Sequence, residues 1–275
     1  MAKQIQIIPK NLVFPVARVL DKEDREFYQE IQAKTAEKYG KDSLAYRTIT
    51  NEIDTENVTG SQFFWNNNLG LYLSKNQRVI SLEDMETINN LDETFFRDFY
   101  LDAPEIVLRT ENLSYDKNKY ILENLVKQVR GEKQEFDSEN PLRISGLELV
   151  KDENSRNAYG LLLQVGQNTK MINDKRFANS NNRKLIPFGE KQKTIYTKEN
   201  DLSGVFVYGD GSLNSDGDGL AVSGGGGRVV VFDAEGIAKN FSSDKYVKEI
   251  QEAYNQKIAS VTSIIDKALS DLAKL

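Results

Sequence analysis

Short β-prone runs separated by turns rich in Gly, Asn and Asp occupy residues 141–236, and they constrain the fold more than any other feature of the chain. Short strands at this spacing are typical of antiparallel sandwiches and barrels. The runs predict strands at Leu142–Leu149 (with a register shift at Gly146), Tyr159–Val165, Lys193–Thr197, Gly204–Tyr208, Gly219–Ser223 and Arg228–Phe232. We therefore expect residues 141–236 to form an antiparallel β domain that resembles a sandwich or barrel.

The preceding region, residues 21–135, carries mainly helical signals. Strong helix formers run from Asp21 to Tyr39, and Gly40 follows as a C-cap. Ser81 precedes an acidic first turn, which is typical of a helix N-cap. Apolar stripes at helical spacing predict a helix after Ser81, with Leu82, Met85, Ile88, Leu91, Phe95 and Phe99, and a helix over Tyr115–Arg130, with Leu122, Leu125, Val126 and Val129.

Two parts of the N-terminal half are predicted to be extended. Residues 1–20 contain Pro9 and Pro15, which suits an extended N-terminal arm or an edge strand. Between the first two helices, Phe63–Trp65 and Leu69–Ser74 predict a short strand pair that turns at the three asparagines between them.

The last 33 residues, 243–275, contain no Gly or Pro, and their apolar residues advance in steps of three and four. This stripe predicts one long helix of about 50 Å. The helix either packs along its own chain or acts as a coiled coil or docking helix. For the second interpretation the candidate oligomerisation residues are Val247, Ile250, Tyr254, Ile258, Val261, Ile265 and Leu272. The predicted fold class is α+β, with a helix-rich N-terminal half, an antiparallel β middle domain and a long C-terminal helix.

The chain of 275 residues has no His and no Cys. This excludes Ser-His-Asp and Cys-His catalysis, thiolate chemistry, zinc sites built on His or Cys, and disulfides. The net charge is −6, from 36 Lys and Arg against 42 Asp and Glu, so nucleic acid is not an expected partner of the chain as a whole. Carboxylate chemistry stays open, and its candidate residues are Asp210, Asp216, Asp218, Asp233 and Glu235.

The segment 209–227, which is dense in Gly and Asp, is the candidate ligand-binding loop. Asn214, Asp216 and Asp218 place oxygen ligands on alternate residues, as in the first half of an EF-hand calcium loop. The twelfth position of such a loop falls on Gly225, where a bidentate Glu is required. Exposed turns are therefore the alternative interpretation, because Asp, Asn and Gly tolerate the backbone angles that turns need.

Residues Lys170–Lys193 are the most basic segment, with seven basic residues against two acidic ones and a net charge of +5. We expect a long exposed loop, with candidate contact residues Lys175, Arg176, Arg183 and Lys184. Three interpretations stay open: a solvated loop, a contact site for an acidic protein, and a nucleic-acid site. Phe177 is the one aromatic residue in the basic centre, which gives little support for base stacking.

These features favour a non-catalytic structural or assembly protein that acts through protein–protein contacts, such as a component of a phage or virus particle. Extended arms and long helices are typical of elements that reach neighbouring subunits. The expected partners are further copies of the chain or other proteins of an assembly. The first alternative is a binding module whose segment 209–227 contacts calcium, a sugar or a protein, and the second is a carboxylate-dependent hydrolase. No cofactor is expected apart from calcium in the first alternative.

No segment approaches the roughly 20 apolar residues of a transmembrane helix, and the N-terminus lacks the apolar run of a signal peptide. We therefore expect no membrane partner and no classical secretion. The expected location is the cytoplasm, or the virion if the protein is viral.

Overall fold

The computed structural model of the protein describes residues 16–92, 94–111, 116–154, 157–178, 183–189, 191–198, 201–217, 219–223 and 226–233. Five α-helices lie within these ranges: α1 (Arg25–Tyr39), α2 (Leu44–Ile49), α3 (Phe63–Gly70), α4 (Leu82–Leu91) and α5 (Lys119–Gly131). The described residues from Ala17 onward form one compact unit. No helix in these ranges has both the length and the apolar character needed to cross a bilayer.

Helices α1, α4 and α5 confirm three predicted helices. Gly40 ends α1 with a φ of +84°, a backbone conformation that glycine adopts without strain. Ser81 caps α4, since its hydroxyl accepts a hydrogen bond from the Asp84 N–H and the Asp84 carboxylate accepts one from the Ser81 N–H. Helix α4 ends at Leu91, earlier than the stripe to Phe99 predicts, because Asp92 leaves the helical conformation for an extended one (φ −148°, ψ 100°).

The predicted strand pair around the three asparagines is wrong, because these residues lie in helix α3. The Gln62 side chain caps this helix by accepting hydrogen bonds from the N–H groups of Phe64 (2.8 Å) and Trp65 (3.2 Å). Six of its eight residues are buried, so α3 is enclosed on several sides. A short helix buried in this way has the same apolar composition as a buried strand, and periodicity alone does not separate the two.

Twelve strands lie in the described ranges: β1 (Val16–Val19), β2 (Gln77–Val79), β3 (Leu101–Leu108), β4 (Leu142–Ser145), β5 (Glu148–Lys151), β6 (Leu161–Gln164), β7 (Lys170–Asn173), β8 (Arg183–Phe188), β9 (Lys191–Thr197), β10 (Leu202–Val207), β11 (Leu213–Ser215) and β12 (Val230–Asp233). Seven of them form a sheet in the order β7-β4-β3-β10-β11-β9-β8, which curls into a half-barrel. A three-stranded sheet has the order β1-β12-β2, and β5 pairs with β6. Strand β1 belongs to the predicted N-terminal arm.

The prediction of an antiparallel sandwich or barrel after a helix-rich half is wrong. The large sheet is mixed, because β11 runs parallel to β9 with Leu213 opposite Ile195. Its interior strand β3 comes from the region predicted to be helix-rich. The predicted long C-terminal helix, residues 243–275, lies outside the described residues, and the longest helix within them is α1 with 15 residues.

Pro104 explains why β3 is hard to predict. Proline cannot donate a ladder hydrogen bond, so within sheets it occurs at edges and bulges. Strand β4 pairs with β3 only from Glu105 onward, and the pairing with β10 shifts register between Gly204 and Phe206. Pro104 therefore lies in an irregular part of the sheet. The second half of β3, Glu105–Leu108, is continuously buried and lacks the alternation of a surface strand.

Helices and strands share two apolar clusters. The larger cluster contains Trp65 of α3, Leu122 of α5, Ile144 of β4 and Leu161 of β6. The smaller cluster contains Met85 of α4 together with residues of β8, β9 and β10. Residues of the helix-rich region and of the predicted β domain therefore bury each other's apolar surface, as the layers of a domain do around a common core.

Candidate functional site

The glycine-rich segment ends in a stretch that we call the strap, residues 219–223 and 226–227. Hydrogen bonds tie it to the loop between α2 and α3. Asn51 Nδ2 donates to Ala221 O (2.7 Å), and the Gly60 N–H donates to Gly227 O (2.9 Å). The Ser61 N–H donates to Ser223 Oγ (2.8 Å), and the Ser223 N–H donates to Glu52 Oε2 (2.5 Å). The predicted strand at Gly219–Ser223 is wrong, because its residues form turns held by these bonds. The strap is therefore attached to a distant part of the sequence.

A first cavity, of about 320 Å³, opens between the strap and α2. Asn51, just after α2, ties this helix to the strap, and the two bonded residues are 170 positions apart. The full lining is Leu44, Arg47, Thr48, Asn51, Lys117, Ala158, Tyr159, Gly219, Ala221 and Val222. The cavity thus depends on long-range contacts between several segments of the chain.

Two cations give the first cavity its charge. The side chains of Arg47 and Lys117 are exposed, and neither side chain makes an ion pair or a hydrogen bond with any residue that the structure describes. No acidic side chain is among the lining residues, and Thr48 adds a hydroxyl group. Arg supplies a planar fork of donors and Lys a compact point charge. The lining therefore presents positive charge and hydrogen-bond donors to a molecule that enters.

A second cavity, of about 540 Å³, adjoins the first, and Leu44 and Arg47 line both. Its other lining residues are Asp42, Ser43, Ala45, Lys151, Asp152, Glu153 and Gly160. The Ser43 side chain caps α2 by accepting a hydrogen bond from the Tyr46 N–H (3.0 Å). The first turn of α2 is therefore fixed at the point where the two cavities meet.

The charges of the second cavity differ from those of the first. Lys151 and Glu153 form an ion pair at 3.5 Å, and buried Asp152 accepts a hydrogen bond from Asn157 Nδ2 (2.9 Å). Asp42 is exposed and makes no ion pair or hydrogen bond with the described residues. Asp42 is therefore the carboxylate of this cavity that is available to a ligand.

A polar cluster holds the other side of the strap. Its members are Ser61, Asn66, Tyr100, Asp102 and Ser223. Ser61 Oγ accepts hydrogen bonds from the Asp102 N–H (2.8 Å) and from Asn66 Nδ2 (3.1 Å), and Tyr100 Oη lies 2.9 Å from Ser223 Oγ. Asn66 is only 1% exposed. Its Oδ1 and the Oδ2 of Asp102 are enclosed and have no hydrogen-bond partner among the described residues. Two acceptors in this cluster therefore lack a donor.

The protonation of Asp102 follows from this environment. Burial raises the pKa of the Asp102 carboxyl well above its usual range, and the hydrogen bond with the Ser61 side chain opposes the shift only in part. A protonated carboxyl brings an O–H donor to a cluster in which the unused groups are acceptors. No member of the cluster lines either cavity, so its role here is to support the strap.

A group of buried charges joins α4, β3 and β4. Arg143 pairs with Glu83, Glu105 and Asp174, and Arg176 pairs with Glu86 and Asp174. Burial favours the neutral form of Glu83, but the hydrogen bond and charge of Arg143 outweigh it and lower the pKa of Glu83 to about 2. Nowhere in the described ranges do three or more acidic side chains assemble as a metal-binding group. Carboxylates that face arginines in this way suit ion pairing within the fold.

Arg109 is a second buried arginine, placed at the end of β3. Its guanidinium donates hydrogen bonds to Phe177 O (3.2 Å), Ser203 Oγ (2.8 Å), Thr197 Oγ1 (2.8 Å) and Ser215 O (2.9 Å). Protein oxygens therefore occupy its donors, and the side chain connects β3 to β9, β10 and β11.

The basic segment Lys170–Lys193 is not the predicted long loop, because it contains β7, β8 and the start of β9. Three of its four candidate contact residues are engaged within the protein. Arg176 pairs with Asp174 and Glu86, Lys184 Nζ donates to Lys175 O (3.1 Å) and Ala178 O (3.0 Å), and Arg183 lies 5.4 Å from the ring centre of Tyr196. The Lys175 side chain is exposed.

The three candidate calcium ligands do not share one exposed loop. Asn214 is buried in β11, where it pairs with Phe206 and Tyr196, whereas Asp216 is exposed. Asp218 lies outside the described residues. The part of segment 209–227 that lines a cavity is the strap, not the Asn214–Asp216 stretch.

The other candidate residues are dispersed or lie beyond the described ranges. Asp210 accepts a hydrogen bond from the Ser212 N–H (2.8 Å), and Asp233 lies in β12 of the three-stranded sheet. Glu235 and the candidate oligomerisation residues Val247, Ile250, Tyr254, Ile258, Val261, Ile265 and Leu272 lie outside the described residues. The hydrolase pair and the oligomerisation stripe stay predictions.

Comparisons of the chain with protein-family models, with curated proteins and with solved structures found no significant match. The site is therefore interpreted from its own residues. Sequence reasoning missed Asp42, Arg47 and Lys117, because single charged residues at exposed positions carry no local signal. The one sequence signal for this site is the unusual composition of segment 209–227, whose last part forms the strap.

Proposed function

We propose that the protein is a non-catalytic binding module that takes a phosphate group in the first cavity. The observation that carries this proposal is that Arg47 and Lys117, two cations without partners among the described residues, line one cavity that has no acidic side chain. The chain has a net charge of −6, so the positive charge of this lining is opposite in sign to the overall charge of the protein. A local field of this kind attracts anions.

Phosphate suits the donors better than a carboxylate does. A carboxylate has two oxygens, which a single guanidinium fork satisfies. Arg47, Lys117 and the Thr48 hydroxyl are three separate donor groups, which match the several oxygens of a tetrahedral phosphate. The volume of about 320 Å³ falls in the range of pockets for small ligands.

Binding without turnover is favoured by the chemistry of the lining. The first cavity offers two cations, a hydroxyl, an amide and apolar contacts, but no carboxylate to act as a general base. The Tyr159 hydroxyl donates a hydrogen bond to Asn118 Oδ1 (3.0 Å), so it is engaged within the fold and does not serve as a general base.

The test is an isothermal titration with inorganic pyrophosphate, which carries phosphate oxygens and no other recognition group. We expect saturable binding by the wild type at low ionic strength, weakened by added salt because the charges are exposed. Arg47→Gln and Lys117→Gln should each weaken binding about tenfold, the value of one charge-assisted hydrogen bond.

Lys75→Gln is the matched control, because Lys75 is exposed and lines neither cavity. It removes one positive charge elsewhere and should leave the affinity unchanged. Equal weakening by Lys75→Gln would mean non-specific attraction, and no heat of binding by the wild type would refute the proposal.

Assembly through protein–protein contacts is the second candidate, and exposed apolar side chains on the sheet edges favour it. Leu185 on edge strand β8 is 66% exposed, and Ile172 on edge strand β7 is 46% exposed. Edge strands with apolar side chains are typical sites of pairing between chains.

Light scattering over a concentration series tests this candidate. We expect a mass that rises above the 31.2 kDa of one chain, and a return toward that mass for Leu185→Glu. Leu71→Glu, at an exposed position outside the strands, is the control and should behave as the wild type. A wild-type mass of one chain at every concentration contradicts assembly of the protein with itself.

A further inference from the structure

The two cavities carry opposite available charges at a short separation. Arg47 and Lys117 line the first cavity, and Asp42 is the uncommitted carboxylate of the second. Arg47 and Leu44 line both, so the two linings are continuous. A single molecule that spans them would meet cations at one end and a carboxylate at the other.

The chain geometry limits the distance between the two ends. Asp42 precedes Arg47 by five residues, and Leu44–Arg47 belongs to helix α2. A helix rises about 1.5 Å per residue and an extended residue spans about 3.3 Å, so the two Cα atoms are roughly 11 Å apart or closer. Side chains that reach toward each other shorten this span, so a ligand of a few bonds can contact both.

We propose that the ligand is a zwitterion, an aminoalkyl phosphate whose phosphate binds at Arg47 and Lys117 and whose ammonium group binds at Asp42. This inference rests on the proposed function, because it needs the phosphate to occupy the first cavity. The other acidic side chains of the second cavity are less available to the ammonium group than Asp42, because both already have partners. Glu153 is paired with Lys151, and Asp152 is buried and bonded to Asn157.

The test compares two ligands that differ only in the amine. Ethyl phosphate and 2-aminoethyl phosphate carry the same phosphate ester, and their dissociation constants are measured by isothermal titration at low ionic strength. We expect 2-aminoethyl phosphate to bind about two- to fivefold more tightly, the effect of one partly exposed ion pair. Asp42→Asn should bring the ratio of the two constants close to one.

Glu37→Gln is the control for the loss of a negative charge, since Glu37 is an exposed residue of α1 that lines neither cavity. It should keep the wild-type ratio. If ethyl phosphate binds as tightly as 2-aminoethyl phosphate, or if Asp42→Asn keeps the preference, the zwitterion is refuted while phosphate binding stands. If neither ligand binds while inorganic pyrophosphate does, the zwitterion is refuted and phosphate binding stands. If pyrophosphate also fails to bind, the proposed function itself is refuted.

The same chemistry occurs in free aminoalkyl phosphates and in the headgroups of lipids. Sedimentation with vesicles of phosphatidylethanolamine separates the two sources. Tight binding of the soluble ligand without sedimentation supports a free ligand, and sedimentation that Asp42→Asn and Arg47→Gln abolish supports a headgroup. Either result agrees with the zwitterion, and sedimentation that neither variant changes contradicts a headgroup at this site.

Discussion

Arg143→Met is expected to lower the free energy of unfolding by about 3–5 kcal/mol, the cost of removing one partner from a buried ion pair. Arg143 is 5% exposed and contacts Glu105, which has no exposed surface. Burial raises the pKa of Glu105 even with the opposing charge of Arg143 in place. Without Arg143, Glu105 must either stay charged in an apolar interior or take up a proton at neutral pH. Both outcomes destabilise the folded state.

Urea unfolding at neutral pH measures this effect, and the chain offers a matched control. Arg130 pairs with Glu111 on the surface, where both side chains are about half exposed. Exposed pairs contribute about 0.2–1 kcal/mol, so Arg130→Met should have a small effect. The double variant Arg143→Met, Glu105→Gln should recover part of the loss, because it removes the uncompensated charge. An equal cost of Arg143→Met and Arg130→Met would contradict the assignment of a buried pair.

Asp102→Asn is expected to raise the free energy of unfolding at neutral pH by about 1–3 kcal/mol. This is the usual cost of burying a polar group with unsatisfied hydrogen bonds, and here that group is the Asp102 carboxyl. The pKa of Asp102 is raised in the folded state by burial, so the folded protein holds this proton more tightly than the unfolded chain does. The stabilisation that this bound proton provides is complete below the unfolded pKa of Asp102, about 3.9. It is lost as the pH rises toward and through the folded pKa. An amide removes this dependence because it cannot ionise.

Thermal unfolding of wild type and Asp102→Asn between pH 4 and pH 8 measures the difference. The two proteins should be similar at the acidic end, and the variant should gain stability as the pH rises. Asp210 provides a control of opposite sign, because hydrogen bonds from Ser212 lower its pKa and stabilise the folded protein above its unfolded pKa. Asp210→Asn should therefore lose stability at neutral pH. A destabilised Asp102→Asn at every pH would show that the ionised carboxylate is needed.

Local signals in the sequence predicted the elements whose stability is local. Helix α5 has a strong apolar stripe and α4 has a capping box, and both formed near the predicted residues. Strands β9 and β10 also lie where alternation and turn residues place them. These signals depend on neighbours within a few positions, which the sequence displays directly.

The sheet could not be predicted in the same way, since its order depends on distant pairing. Strand β3 contains Pro104 and is continuously buried in its second half, so it lacks both the alternation and the composition that identify a strand. The parallel pairing of β11 with β9 has no local signal either. The predicted separation into a helical half and an antiparallel β domain failed because tertiary packing decided which strands meet.

The candidate site is also a product of long-range contacts. The Asn51 side chain bonds Ala221 across 170 positions, and Lys117 comes from yet another segment. The composition of segment 209–227 is unusual, but the calcium interpretation rests on Asn214 to Asp218, whereas the strap lines the cavity. Which charged residues lack partners is visible only once the fold pairs the others.

Phosphate binding in the first cavity is tested most directly by a crystal structure of the protein with tungstate, a tetrahedral divalent oxyanion with strong anomalous scattering. The expected result is an anomalous peak within hydrogen-bond distance of the Arg47 guanidinium and the Lys117 ammonium group. Crystals in which the first cavity is open to solvent but shows no peak, while tungstate binds elsewhere on the protein, would contradict the proposal.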